Sequence, residues 1–313
     1  MISHNPEICI QVTGLTKRFG PRVAVDRLNL EASRGEVFAL LGPDGAGKTT
    51  TMRMLGGILA QDEGQARLLG FDTRRQTRQL RELLGYLPQS FGLYDDLTVA
   101  ENINFYADLC RVPRTQRQQR LPELLAFADL TPFQDRLAAN LSGGMRQKLG
   151  LICTLVHRPR LLLLDEPTSG MDPVSRQEFW QILHELLKTE VTIFLATADM
   201  NEAERAHKVG LMYQGRLLVA ASPEALKDTF TGELLELRTL DLRAARRILY
   251  GQPFLRQTLA MGDRMVLTVD RAEQAAGLIE QTLRRAGVTD VQISGTEPGL
   301  EDLFVQIMSR QEG

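Results

Sequence analysis

Val37-Phe38-Ala39-Leu40-Leu41-Gly42-Pro43-Asp44-Gly45-Ala46-Gly47-Lys48-Thr49-Thr50 is the stretch that decides the fold. Its first five residues are short and wholly apolar, the pattern of a strand covered on both faces in a parallel sheet. The rest fits Gly-x4-Gly-Lys-Ser/Thr, a loop whose glycines let backbone N–H groups curl around phosphate oxygens. The helix expected next points its amino end at the same anion. Gly42, Pro43, Asp44, Gly45, Ala46, Gly47, Lys48, Thr49 and Thr50 are therefore candidate phosphate contacts. Lys48 is placed to reach the β- and γ-phosphates and Thr49 to bind Mg²⁺.

Two further signals stand downstream. Residues 161–164 are an all-leucine run that delivers Asp165 and Glu166 to its carboxyl end. Two adjacent carboxylates there are costly unless they meet a cation. Asp165 is the candidate Mg²⁺ ligand and Glu166 the residue that polarises the attacking water. Between the two lies Leu141-Ser142-Gly143-Gly144-Met145-Arg146-Gln147, in which Ser142 reads as a helix N-cap. The two glycines leave the first-turn N–H groups uncovered, which makes a second anion site.

The wider chain fits an α/β protein. Strands are expected at 37–41, 161–164 and 191–196, with a helix over 174–187 started by Asp172 and Pro173. Residues 91–157 read as mostly helical with breaks at Pro113 and Pro132, and 8–12 and 28–30 read as a small flanking antiparallel region. The 313 residues carry 37 basic and 39 acidic side chains, net −2, with 43% hydrophobic residues. That composition excludes disorder, and a charge near zero argues against nucleic acid as the main partner. No apolar run approaches the ~20 residues needed to span a bilayer. The start, Met1 to Glu7, does not read as a secretory signal. Cys9, Cys110 and Cys153, odd in number and far apart, suggest reduced thiols and a cytoplasmic address.

In this order the three motifs resemble the ATP-binding subunit of ABC transporters, over about residues 7–230; Leu141-Ser142-Gly143-Gly144-x-x-Gln147 is similar to that family's signature. The resemblance implies a P-loop ATPase core with an inserted helical subdomain at about 91–157, ATP and Mg²⁺ as cofactors, and two ATPase units packed head to tail. Gln89, in Leu87-Pro88-Gln89, resembles the glutamine loop that senses Mg²⁺ and water. Asp172, in Ser169-Gly170-Met171-Asp172-Pro173, resembles the loop at the dimer seam. Phe19 matches the aromatic that stacks on adenine, its other reading being a core residue. Ser142, Gly143 and Gly144 would face the partner's ATP, with Ser142 and Gly144 donating to its γ-phosphate. Phe91, Leu93 and Tyr94 would anchor a helix of a multispan membrane permease, their other reading being the core of the helical part.

The chain departs from the family pattern after residues 191–196, where Ala198 stands in place of a histidine that contacts the γ-phosphate. Alanine cannot hydrogen-bond through its side chain, so the expected site hydrolyses ATP slowly or not at all, and a heterodimer with a second ATP-binding subunit is favoured. His207 is read as further along the next helix and unable to substitute; His4, His157 and His184 are read as solvated or structural. Asp44 replaces a common asparagine and must turn outward to avoid repelling phosphate.

The tail reads as a separate α+β unit, 231–313, with its soft boundary at 228–232. Strands are expected at 234–237, 265–269 and 288–293, and helices at 242–250 and 300–308. A third helix carries Ala272, Ala275, Ala276, Ile279 and Leu283 on one stripe, with Asp270 as N-cap and Gly287 as terminator. Pro298-Gly299-Leu300-Glu301-Asp302-Leu303-Phe304 is similar to the closing motif of ABC-2 type exporters. The resulting expectation is an ATPase subunit peripheral on the cytoplasmic membrane face, driving export such as drug or amphipathic-compound efflux. Its rivals are a non-catalytic nucleotide-binding scaffold and a soluble ABC ATPase of translation or repair.

Overall fold

The computed structural model describes residues 7–312, so most of the stretch read for a signal, and His4, lie outside the described residues. Residues up to Pro223 form one compact unit and those from Glu224 a second.

The first unit opens with β1 (Ile8–Phe19) and β2 (Arg22–Ser33), then β3 (Val37–Leu41) and α1 (Lys48–Leu55). Next come β4 (Glu63–Leu68), β5 (Phe71–Asp72), α2 (Thr77–Arg81) and β6 (Leu84–Leu87). A helical stretch follows: α3 (Val99–Leu109), α4 (Arg114–Phe127) and α5 (Gly143–Leu155), with 3-10 turns at Thr131–Phe133 and Ala138–Asn140. The unit closes with β7 (Leu161–Asp165), α6 (Pro173–Leu187), β8 (Thr192–Thr197), α7 (Met200–Ala203), β9 (Lys208–Tyr213) and β10 (Arg216–Ala221).

Two sheets result. One is antiparallel, in the order β2-β1-β4-β5; the other has six strands, in the order β10-β9-β3-β8-β7-β6. In the larger sheet β6, β7, β8, β3 and β9 are parallel, and β10 pairs antiparallel with β9. Every residue of β3, β7 and β8 is buried, which is why their sequences read as continuous apolar runs. Phe38 and Phe194 stack across β3 and β8 with ring centroids 5.1 Å apart. Ligands in such sheets bind outside the carboxyl ends of the strands.

Several strands were not legible. β6 and β9 each contain a glycine, which reads as a break, but both are close-approach positions. A Cβ on Gly85 would lie 2.6 Å from Leu162 Cδ2, and one on Gly210 would lie 3.0 Å from Phe38 Cζ. β1 runs far beyond residue 12 because Gly14 (φ 59°) accommodates a register shift between Val12 and Leu15. The expected breaks in the helical stretch are there: Pro113 precedes α4 and Pro132 lies in a 3-10 turn. α7 is much shorter than the sequence suggests, so His207 lies past it, ahead of β9, and its Nδ1 accepts the Val37 N–H at 3.1 Å. That is the amino end of β3, the far end from the phosphate loop.

α8 (Pro223–Lys227) stands at the division between the units. The second unit contains β11 (Glu233–Arg238), α9 (Leu242–Leu249), β12 (Gln257–Met261), β13 (Arg264–Val269), α10 (Ala272–Arg285), β14 (Gln292–Thr296) and α11 (Leu300–Glu312). Its sheet, in the order β12-β13-β11-β14, is antiparallel throughout. Leu235, Leu237, Leu267, Ile279 and Leu283 pack in its core. β12 is an unforeseen edge strand. Asp270 is not the N-cap of α10: Arg271 occupies that position without a side-chain cap, and Asp270 pairs with Arg256. The first free N–H of α10, on Ala272, instead donates to Glu233 Oε2 at 2.6 Å, a partner 39 residues earlier. Gly287, at φ 91°, ends the helix as expected.

Candidate nucleotide site

Four adjacent parallel strands bring their carboxyl ends to one edge. β3 exits into Gly42, β8 into Ala198, β7 into Glu166 and β6 into Pro88 and Gln89. The register places Leu41 beside Thr197, Asp165 beside Ala196, and Leu87 beside Leu164. Chain segments more than a hundred residues apart thus end side by side.

The loop after β3 is shaped by its glycines. Gly47 holds φ 109°, and a Cβ there would lie 2.4 Å from Ala24 O. A Cβ on Gly42 would lie 2.2 Å from Met212 O. Only glycine fits both places. Lys48 is 5% exposed, and its Nζ donates to Gly42 O at 2.7 Å and Pro43 O at 3.2 Å. The same Nζ lies 3.1 Å from Glu166 Oε1. Thr49 Oγ1 donates to Asp165 Oδ1 at 3.1 Å. Asp44 is exposed, and Thr50 lines the loop's outer cleft. That cleft, of about 290 Å³, is shared by Phe19, Arg22, Lys48 and Thr49. Phe19 is 51% exposed, so it is not a core residue, and the Lys17 ammonium stands 5.6 Å from its ring centroid. Arg22, three residues on across a tight turn, went unnoticed in the sequence because one arginine in a hairpin carries no signal.

The two carboxylates sit in different surroundings. Asp165 is 1% exposed, and burial pushes its carboxyl above the usual range despite the Thr49 hydrogen bond. Its Oδ2 is buried with no hydrogen-bond partner among the described residues. Tyr86 on β6 lies close by; burial, and then the Asp165 charge, push its phenol up to about 12. Glu166 takes φ 51°, a left-handed conformation that costs a non-glycine residue about 1 kcal/mol or more. Its N–H donates to Ala196 O at 2.8 Å, and its Oε2 accepts the Ala198 N–H at 3.3 Å. Ala198 is exposed and faces the site through its main chain alone. Gln89 is exposed beyond β6, with no hydrogen bond joining it to Thr49 or Asp165.

The other motifs lie on α5 and α6. Ser142 caps α5, its Oγ accepting the Met145 N–H at 3.2 Å. Asp172 caps α6, accepting from the N–H groups of Val174 and Ser175 at 3.1 and 3.0 Å. Hydrogen bonds from Ser175 hold the Asp172 carboxyl below its usual range. The two signature glycines differ: a Cβ on Gly144 would lie 2.5 Å from Ser175 Oγ, whereas one on Gly143 meets nothing within 4 Å. Gly144→Ala is therefore expected to cost about 1–3 kcal/mol of folding stability. Gly143→Ala should leave the melting temperature unchanged, which thermal unfolding of both variants checks.

Of the three expected docking residues, Phe91 lines a cavity of about 1050 Å³ together with Tyr86, Tyr106 and Cys153, and its ring packs at a tilt against Tyr106, with centroids 4.8 Å apart. Leu93 and Tyr94 do not line it; Tyr94 packs edge-on against Phe105. His157 lies with Nε2 3.1 Å from Leu84 O, at the amino end of β6, and His184 lies beside Trp180 on α6. Cys9, Cys110 and Cys153 are free thiols. Among the described residues no helix is long and apolar enough to cross a membrane.

Residues 25–169 match the family described as ABC transporter. The chain is 43% identical over 305 residues to the probable multidrug ABC transporter ATP-binding protein YbhF of Escherichia coli (strain K12), a match covering 96% of this chain and 52% of that protein. It thus spans about half the length of that relative. Nod factor export ATP-binding protein I of Paraburkholderia xenovorans (strain LB400) is 35% identical over 308 residues, covering 98% of this chain and 99% of the other. Daunorubicin resistance ATP-binding protein DrrA2 of Streptomyces coeruleorubidus is 31% identical, covering 95% and 94%. Among solved structures, an ATP-binding subunit of an ABC transporter is similar with a TM-score of 0.65 and 26% identity, covering 71% of this chain and 93% of that one. A dimeric ATP-binding cassette bound to ADP and phosphate gives a TM-score of 0.63 at 25% identity, covering 68% and 98%.

Proposed function

The chain belongs to the ABC transporter family of ATP-binding proteins, and from that premise we propose that it energises an ABC-2 type membrane exporter by cleaving ATP to ADP and phosphate. The observation that carries this is the meeting of Lys48, Thr49, Asp165 and Glu166 where β3, β7 and β8 end.

Lys48 and the amino end of α1 bind the phosphates, and Phe19 carries the adenine. Lys48 is shared among Glu166 and two loop carbonyls, so a phosphate oxygen competes with Glu166 for it. Once released, the Glu166 carboxylate orients water and accepts its proton. Thr49 and Asp165, with Gln89, would hold Mg²⁺. The unpartnered buried Oδ2 of Asp165 and the hydroxyl beside its Oδ1 suit a hard cation that uses few carboxylates. When bound, Mg²⁺ neutralises charge on the phosphate oxygens.

Two ATPase units would clamp ATP head to tail. Ser142 and Gly144 of one would donate to the γ-phosphate held by the other, with Asp172 at the seam. A second, different ATP-binding chain is favoured as the partner, because Ala198 weakens this chain's own site while its Ser142 motif is intact. The cavity at Phe91 and Tyr106 would receive a permease helix, holding the protein at the cytoplasmic membrane face. The multidrug and daunorubicin resistance functions for which those relatives are named support a drug or amphipathic cargo.

An equilibrium ATP titration beside a single-turnover cleavage assay tests the reading. The wild type is expected to bind ATP and cleave it only with Mg²⁺ present, and Asp165→Asn to bind ATP but lose at least ~100-fold in cleavage. With its buried charge removed, Asp165→Asn should also melt higher without nucleotide at pH 7. Burial raises the folded-state value, so this group's stabilisation is complete at low pH and lost as pH rises through that value. The gain in melting temperature should therefore vanish in acid. Binding without cleavage in the wild type would favour the scaffold reading that Ala198 suggests. Co-sedimentation with ribosomes rather than membranes would favour a role in translation.

A further inference from the structure

Glu202 is a buried acid that the chemistry above does not use. It is 2% exposed, on α7, four residues beyond Ala198 in the chain. A carboxylate in such a place is costly unless its oxygens are bonded, and here both are. Oε1 accepts the Thr168 hydroxyl, and Oε2 accepts the Thr197 hydroxyl at 2.6 Å. Thr168 lies two residues past Glu166 on the exit of β7. Thr197 immediately precedes Ala198 on the exit of β8. Since the Ala198 N–H donates to Glu166 Oε2, the bonds close a ring through Glu202, Thr197, Ala198, Glu166 and Thr168. Thr197 extends the ring to the phosphate loop, its carbonyl accepting the Gly42 N–H at 3.2 Å. The other charges near Glu202 are Asp199 and Arg176, which pair with each other.

We propose that Glu202 is a positioning residue for Glu166, tying the exits of β7 and β8 together so that the Ala198 main-chain N–H holds the water-orienting carboxylate. The left-handed backbone of Glu166 needs such a frame to persist. With no side-chain donor at 198, that N–H is what this loop offers to Glu166. The inference rests on the reading of Glu166 given above.

The test is single-turnover ATP cleavage with protein in excess over ATP, measured beside ATP affinity for the wild type, Glu202→Ala, Glu202→Gln and Thr168→Val. Glu202→Ala and Thr168→Val should slow cleavage about 10- to 100-fold, as losing an outer-shell partner does, with affinity for ATP within about threefold of wild type. Glu202→Gln should return to within about threefold in rate, because its amide donates to one threonine oxygen while its carbonyl accepts from the other. If Glu202→Ala does not fold, the isosteric Thr168→Val and the conservative Glu202→Gln carry the comparison. Rate and affinity falling together, an unchanged rate in Thr168→Val, or no rescue by glutamine would each overturn the proposal. Cleavage unaffected by these changes in an active wild type sinks this inference alone. A wild type that cleaves nothing sinks the role of Glu166 as well.

Discussion

Lys48→Ala is expected to weaken ATP binding by about 100- to 1000-fold and to remove cleavage with it. The ammonium is 5% exposed, and a full charge about 4 Å from a phosphate at an intermediate dielectric contributes about 4 kcal/mol. Every 1.4 kcal/mol is tenfold in affinity. The substitution also strands Glu166, whose side chain is 14% exposed and whose cation lies 3.1 Å away. Removing one partner of such a pair is destabilising, by about 1–3 kcal/mol for a group still touched by water. The double variant Lys48→Ala/Glu166→Gln should therefore regain stability but not affinity. Titration with a fluorescent ATP analogue and thermal melting separate the two effects. Unchanged affinity in Lys48→Ala would remove the phosphate role altogether.

Ala198→His is expected to act in the opposite direction, raising ATP turnover of the isolated chain about 10- to 100-fold with little change in affinity. Positioned acid–base and hydrogen-bonding groups contribute about 100-fold or more to such steps, and alanine supplies none. Room is available, because Ala198 is exposed. Its main-chain N–H already donates to Glu166 Oε2, so residue 198 is a direct neighbour of that carboxylate. Adding Glu166→Gln should cancel the gain. The informative opposite is a wild-type chain that turns over fast alone and stops on Glu166→Gln. In that case the site is not weakened, and the preference for a heterodimer loses its basis.

How much of this was legible in the sequence follows from the range of the interactions concerned. The Gly42–Thr49 cradle was readable because its demands are local: φ values open to glycine, a strand before and a helix after. The N-caps Ser142 and Asp172 were readable for the same reason, each bonding N–H groups within three residues of itself. β3, β7 and β8 stood out because burial on both faces writes an unbroken apolar run. β6 and β9 did not, because their glycines answer to distant Leu162 and Phe38 and resemble breaks when read locally. The expected cap Asp270 failed similarly, displaced by Glu233 from another strand.

The sequence alone marked which side chains are the candidates for the chemistry and which loop shapes hold them, since neighbours along the chain enforce both. Only the tertiary structure decided that Lys48 meets Glu166, that Asp165 keeps an unpartnered oxygen beside Thr49, and that Glu202 binds Thr168 and Thr197 at once. Those pairings depend on strand order and register, which are set by how the apolar faces of the whole sheet pack.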